Sequence, residues 1–474
     1  MQGNLDKWTI PQSEIVYELE HGTIPSEMIC LGCAAKVNLV DTVYPALDIV
    51  RSRISHLKYV NFQKREDSYY FLTDKKDFTF ARVIHPLSEL MNPEIPTITK
   101  ALERNGPGGA ILLFNFTPQP KIEHFADLLT NLLTSLENAH TAVTVGKGHT
   151  IQLARVPEET CMMADLIGHS TGIRYWGLVN NDTIANVDPM LPHSHKFAVS
   201  IALNNTLNDL FVYGISSDFI IYPSYDARDE AGIESIRSAM KWYAEKFHSI
   251  GLEIRDQGPM KTNNKLIGAT AIGFTDRQIP LNSGLVPEQV IIATRPIGDI
   301  APLNEYLIRV SIGDEVADIE NLRRHVIQTM LIPNVEAARI IRDYLPPIGT
   351  EFNPQKHITA TRDMSGPGLL ALEELAEDSQ CNINLERIVW HDERIANIEV
   401  TNVTAGTNGA ILIAAMKGIS DEIIHRLKDA GYNPWIVGRV GKRNEKPIIT
   451  IDKSLAQYDF LFRGKGFFHN YQLL

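Results

Sequence analysis

Three acidic residues stand in surroundings that ordinary packing does not explain. Asp209 lies in Leu203-Asn-Asn-Thr-Leu-Asn-Asp-Leu210, inside a segment whose apolar spacing predicts a helix. Asn205 and Asp209 are four apart and share one helical face, and Asn204 and Asn208 form a second such pair. Four Asn and Asp residues in six positions is a poor composition for a helix interior, because their side chains compete for the backbone. Such a broken local rule falls most often at a functional site, the bland alternative being a helix with a solvated polar face. Asp188 follows an expected strand in Ala185-Asn-Val-Asp-Pro-Met-Leu-Pro192. Asp363 opens Asp363-Met-Ser-Gly-Pro-Gly-Leu369, a glycine-rich turn leading to a new helix. Carboxylates drawn from separate elements are what a magnesium–phosphate site requires, since magnesium takes hard oxygen ligands and keeps water and phosphate as the rest. A nearby lysine would add a mobile point charge for phosphate.

Other pairings are weaker. Val145-Gly-Lys-Gly-His-Thr150 lacks both the earlier glycine and the Ser or Thr after Lys that a phosphate-binding loop needs. His193-Ser-His195 has no further ligand at zinc spacing, and Cys30-x-x-Cys33 has no second pair, because Cys161 and Cys381 stand alone.

The elements that must position these residues belong to an α/β chain. Residues 1–40 read as a mobile leader carrying Met28-Ile-Cys-Leu-Gly-Cys-Ala-Ala-Lys36. Residues 41–150 read as a small α/β unit, with strands at 110–114 and 141–145 and a helix over 125–136. In 151–285 the periodicity predicts helices over 197–211 and 233–250, stopped by Gly214 and Gly251, and a strand over 266–274. Residues 286–474 form a second block, with strands at 289–294, 410–415 and 435–440. A helix at 421–430 takes Ser420 as its N-cap, Asp421 and Glu422 in its first turn and Gly431 as its stop.

Composition sets outer bounds. The chain has 474 residues, 44% hydrophobic and 22% charged, with a net charge of −12. That charge argues against nucleic acid or an anionic membrane as partner. No apolar run approaches the ~20 residues of a membrane helix. With no secretory signal and four cysteines, a reducing cytoplasm is expected.

Taken together, the motifs resemble those of selenophosphate synthetase and, more broadly, the aminoimidazole ribonucleotide synthetase (PurM-like) superfamily. The Asn-rich helix with Val212-Tyr-Gly214 resembles the family's Ala-Thr-Asn-Ala-Leu-Ser-Asp helix and its glycine end. Asp363-Met-Ser-Gly-Pro-Gly-Leu-Leu370 resembles Asp-Val-Thr-Gly-Phe-Gly-Leu-Leu, and Asp188-Pro-Met-Leu-Pro192 resembles Thr-Asp-Phe-Phe-x-Pro. Thr407-Asn-Gly-Ala-Ile-Leu-Ile-Ala414 and Ile291-Ile-Ala-Thr-Arg-Pro-Ile-Gly298 resemble two further segments. Gly32-Cys-Ala-Ala-Lys36 resembles the N-terminal Gly-Cys-Gly-Cys-Lys, and all six occur in the family's order.

The resemblance implies a two-domain PurM-like α/β (α+β) fold, with an N-terminal dimerising sheet domain and a C-terminal α/β domain. It implies an ATP- and Mg²⁺-dependent phosphotransferase acting on selenide, sulfide or another small nucleophile, as a homodimer. Asp188, Asp209 and Asp363 would hold magnesium, with Asp165 or Asp182 as the remaining acid. Asn205 would orient a phosphate or a metal-bound water. Lys36 would contact the transferred phosphoryl group, and Cys33 would handle the chalcogen. A thiamine monophosphate kinase-like enzyme and a non-catalytic nucleotide-binding scaffold are the alternatives.

Overall fold

The computed structural model describes residues 4–22, 44–54, 61–65, 68–73, 141–146, 176–184, 187–227, 229–259, 266–280, 283–398, 402–464 and 471–473, with single positions at 468 and between 122 and 130. Two large sheets carry the chain, and the fold is mixed α/β.

The first sheet has the order β4-β7-β5-β6. Its long ribbon pairs β4 (Trp176–Ile184) antiparallel with β7 (Leu266–Thr275), from Trp176 opposite Thr275 to Ile184 opposite Ile267. Strand β5 (Phe219–Asp226) lies antiparallel to β7 and parallel to the short β6 (Leu252–Ile254). Along β5, buried and half-buried residues alternate, the pattern of a sheet with one face in the core.

The second sheet has seven strands, in the order β14-β13-β10-β12-β8-β11-β9. Strand β8 (Val290–Ala293) runs antiparallel between β11 (Ile411–Ala415) and β12 (Trp435–Arg443). Every residue of β8 and β11 is buried, so both faces of the sheet centre are covered. Strand β9 (Ala360–Asp363) is one edge; β10 (Cys381–Leu385), β13 (Ile449–Ile451) and β14 (Tyr471–Leu473) complete the other side. A Cβ at Gly438 would lie 1.8 Å from the Asn384 carbonyl oxygen, so the bulge in β12 admits only glycine. A third, three-stranded sheet joins β1 (Asn61–Arg65), β2 (Ser68–Thr73) and β3 (Thr141–Gly146).

The helices follow the apolar spacing. The segment expected over 197–211 is helical from Lys196 to Phe211, and Gly214 ends it at φ +74°. A Cβ there would meet the Arg342 backbone at 3.0 Å. The next helix runs Glu230–Lys246 and continues as a 3₁₀ turn to Ile250, before Gly251 at φ +77°. The helix expected at 421–430 starts earlier, at Lys417. Ser420 is not its cap: it lies buried in the first turn and its hydroxyl donates to the Lys417 carbonyl. The expected strand at 110–114 lies outside the described residues, as does most of the helix at 125–136; residues 126, 127 and 130 are helical.

The N-terminal leader departs most from expectation. Residues 12–22 form a helix, α1 (Gln12–Gly22), that buries Ile15 and Leu19, and Trp8 and Ile10 before it are 1% exposed. The Trp8 indole donates to Glu336 at 3.2 Å, and Lys7 pairs with the same carboxylate at 2.7 Å. Four well-spaced apolar side chains suffice to dock a short polar helix, which its charged residues concealed in the sequence. Residues 23–43, with Cys33 and Lys36, lie outside the described residues.

Helix α1 is clamped to the start of the Asn-rich helix. Lys196 pairs with Glu14 at 2.7 Å and Glu18 at 3.0 Å. The His195 side chain caps that helix, Nδ1 accepting from the Phe197 N–H at 3.2 Å, so its proton sits on Nε2 and is donated to Glu18 at 3.0 Å. Burial, against the opposing pull of Glu18, lowers the His195 pKa below its ordinary 6.5. A neutral native histidine stabilises fully above the unfolded value, and that contribution is lost as pH falls below about 6.5. The thermal unfolding midpoint should therefore fall on acidification from pH 7 toward 5. His195→Asn keeps a capping oxygen and should flatten this part of the profile; an unchanged profile would remove His195 from the clamp.

Candidate functional site

We label the Asn-rich helix α3 (Lys196–Phe211), after α2 (Tyr44–Arg53). From Phe197 to Phe211 every residue of α3 is buried, so its polar stripe is not a solvated face. It packs on β4, β7 and the helix Glu230–Lys246 on one side. On the other it meets Ala317–Leu331 and Val335–Asp343 of the C-terminal block. A buried polar group must find partners or cost a few kcal/mol, so each amide on α3 has to bridge to something.

The two pairs read from the spacing point to both sheets. Toward the first sheet, Asn205 donates to Asp182 on β4. Asn180, also on β4, donates to Asp209 Oδ2 at 3.0 Å. Toward the second, Asn208 Nδ2 donates to Asp363 Oδ1 at 2.6 Å and lies 3.2 Å from the Ser365 hydroxyl. The Asn205 carbonyl accepts from the Asn408 backbone N–H at 2.7 Å. Asn204 donates to the Leu331 carbonyl at 2.9 Å and accepts from the Tyr243 hydroxyl at 2.9 Å.

The Asp363 turn and the Thr407-Asn-Gly409 loop are held side by side. Asp363 Oδ1 accepts from the Ser365 N–H at 2.7 Å, and the Ser365 hydroxyl accepts from the Gly409 N–H at 2.7 Å. The Gly366 N–H donates to the Gly406 carbonyl at 2.7 Å. Asn408 adopts φ +51°, a conformation Asn tolerates better than most residues, and its amide donates to the Met330 and Ile332 carbonyls. Asn334 donates to the Asn208 carbonyl at 2.7 Å and to the Gly409 carbonyl at 2.9 Å. Arg295, from the 291–298 motif, is 4% exposed; burial lowers its pKa, with the negative charges of Asp299 and Asp363 within reach to oppose this.

Asp209, Asn205 and Asp363 are thus gathered at one helix, with Asp182 beside them. Asp188 is not. It is 2% exposed and accepts from Arg323 Nε at 3.0 Å and Nη2 at 2.7 Å, both on Oδ2, while Oδ1 accepts from the Met190 N–H at 2.9 Å. Here the Asp188 carboxylate is paired with a buried guanidinium, apart from the acids gathered at α3. Arg323, itself 1% exposed, also lies over the Tyr306 ring at 4.6 Å. Among the described residues no group of three or more His, Cys, Asp and Glu side chains is placed to hold a metal ion. His193 and His195 are occupied separately, His193 by the Asp226 carbonyl and His195 as the α3 cap.

The sequence did not single out Asn180, Asn334, Ser365 or Arg323. Asn180 leads an Asn-Asn-Asp run inside a predominantly apolar sheet, a usable signal; the others are ordinary until the chain folds.

No model of a known protein family matches the chain. A curated protein named selenide, water dikinase, from Methanocaldococcus jannaschii, is 22% identical over 294 residues, spanning 59% of this chain and 82% of that protein. The chain is similar to a selenide, water dikinase. Among solved structures, the thiamine-monophosphate kinase of Stenotrophomonas maltophilia K279a aligns with a TM-score of 0.43 and 17% identity, over 57% of this chain and 84% of that one. HypE of E. coli, a hydrogenase maturation protein, aligns with a TM-score of 0.43 and 14% identity, over 62% and 92%. No helix among the described residues is long and apolar enough to cross a membrane.

The Asp188–Arg323 pair has a direct test. Arg323→Met should cost about 3–5 kcal/mol, because it strands a buried carboxylate. Asp188→Leu with Arg323→Met should recover most of that loss. Chemical denaturation of the two variants decides it: equal losses would show that Asp188 does not depend on the guanidinium.

Proposed function

We propose that this protein is an ATP- and Mg²⁺-dependent phosphotransferase of the selenophosphate synthetase type, acting on selenide, sulfide or another small nucleophile. The observation that carries this reading is α3 itself. One buried helix carries Asp209, and its amides meet Asp182 from the first sheet and Asp363 from the second, while Asn180 of the first sheet donates to Asp209. The donor chemistry suits magnesium, which uses one or two carboxylates and completes its shell with water and phosphate oxygens rather than a protein cage. Asp209 and Asp363, with Asp182 as the remaining acid, would hold it, and it would neutralise charge on the phosphates. Asn205, fixed by Asp182 and the Asn408 N–H, would orient a phosphate oxygen or a water. Lys36 would supply a mobile cation to the transferred group, and Cys33 a soft sulfur for a chalcogen acceptor. The chain would work as a homodimer built through the first sheet, which a monomeric mass by light scattering at all working concentrations would refute.

The pairing of Asp188 with Arg323 favours a second reading, a non-catalytic nucleotide-binding scaffold. One assay separates the two: ATP turnover with magnesium, alone and with sulfide or selenide. Asp209→Asn retains size and hydrogen bonding but removes charge, and should lower turnover at least about 100-fold without changing the fold. Turnover at the wild-type rate would take Asp209 out of the site. No turnover under any condition, with the protein still stabilised by an ATP analogue, would favour the scaffold.

The leader residues should separate by assay. Lys36→Ala should lose activity with every acceptor, whereas Cys33→Ser should lose only the acceptor-dependent reaction and keep a slow ATPase. If both variants match wild type in both assays, the leader has no catalytic part.

A further inference from the structure

A pair of histidines remains unexplained by the phosphotransferase reading. His325 lies on the helix Ala317–Leu331 and is exposed; His391 lies in the segment after β10, with its side chain 2% exposed. His391 Nε2 is 2.7 Å from Oδ1 of Asp299, itself 2% exposed, so the ring donates to a buried carboxylate. That bond fixes the other nitrogen, Nδ1, as the ring's outward lone pair. It faces His325 Nε2 at 3.3 Å. The His391 N–H donates to the Ile297 carbonyl at 3.2 Å, which holds the backbone beneath the ring.

Two geometries could account for facing imidazole nitrogens. A linear N–H···N bond at this separation would place the ring centres about 5.6 Å apart, so a hydrogen bond between these rings has to be bent. Two imidazoles on one tetrahedral metal, with bonds of about 2.0–2.1 Å, put their nitrogens about 3.3–3.4 Å apart and their ring centres about 5.2 Å apart. The observed values are 3.3 Å and 5.2 Å, with the ring planes at 71°. The rings thus make a bent hydrogen bond whose spacing matches that of two imidazoles sharing one ion. The carboxylate behind His391 is the brace that metal-bound histidines commonly carry, and it fixes the orientation of the ring.

We propose that His325 and His391 form a two-imidazole site for a borderline divalent transition ion such as zinc, cobalt or nickel, with Asp299 as its positioning residue. Two protein ligands leave the other positions to solvent or to a small ligand, and the exposure of His325 gives the ion its way in. The pair is distinct from the carboxylates on α3: imidazole selects this class of ion, whereas magnesium selects oxygen.

The test titrates the full-length, metal-free protein with Co²⁺, read by its visible d–d absorption, and with Zn²⁺ by calorimetry. Wild type should bind one equivalent that His325→Gln and His391→Gln each lose. Asp299→Asn should weaken binding about 10- to 100-fold. His425→Gln, an exposed histidine elsewhere, should change nothing. The His325→Gln variant is a surface change, and circular dichroism matching wild type confirms its fold. Cobalt binding that survives in His325→Gln overturns the proposal, as does an absence of binding by wild type. So does a ¹⁵N signature of a proton shared between the two rings that added zinc leaves unchanged.

Discussion

Everything in this molecule is arranged around a helix that has no solvated side. A helix buried from Phe197 to Phe211 would ordinarily be apolar all round. Here Asn204, Asn205, Asn208 and Asp209 are inside, and each must be matched by a group brought from elsewhere in the chain. The amide suits this because it donates and accepts at once. Asn205 donates to Asp182 and accepts from the Asn408 N–H; Asn208 donates to Asp363 and accepts from Asn334. The bonds to Asn408, Asp363 and Asn334 each reach a segment more than a hundred residues from the helix. The two sheets are therefore held in register by directional bonds as well as by apolar contact, and a shift of α3 by one residue would break all of them together.

The same network sets the electrostatics. Asp188 and the acids near α3 are chemically identical and receive different treatment. Asp188 faces a guanidinium, which cancels its charge and makes the pair a structural bolt between the N-terminal block and the helix Ala317–Leu331. The bonds that Asp209 and Asp363 accept from Asn180 and Asn208 orient the carboxylates without cancelling their charge. A charge meets a charge at Asp188, whereas neutral amides set the orientation of the carboxylates at α3.

Much of this was legible in the sequence, and the rest was hidden for definite reasons. The extents of α3 and of Glu230–Lys246 follow from apolar spacing and from the glycines that end them, because those signals are local. The importance of Asn205 and Asp209 was visible as a violation of helix propensity. Asp188 could not be sorted from them, since its partner lies 135 residues away and an acid beside a strand end looks the same whether it meets a metal or an arginine. The docked N-terminal helix was hidden because Trp8, Ile10, Ile15 and Leu19 are few among charges, and those charges prove to be its clamp. Ser420 misled because a serine before two acids mimics a cap; the chain had already turned helical at Lys417.

The N-terminal clamp also bears on how far the leader can act. Helix α1 ends at Gly22, where an added Cβ would stand 3.0 Å from His195 Nε2, so the leader departs from the start of α3. Asp209 lies fourteen residues along that helix from His195, about 21 Å at 1.5 Å per residue. Lys36 is fourteen residues beyond Gly22, and an extended chain of that length spans up to about 46–50 Å. Fourteen residues can therefore span the distance from Gly22 to Asp209, so the part proposed for Lys36 is compatible with the length of chain between them. The contacts of Glu14 and Glu18 with Lys196 set the starting point of that span at the N-terminus of α3, so the clamp and the reach required of position 36 are linked through one piece of geometry.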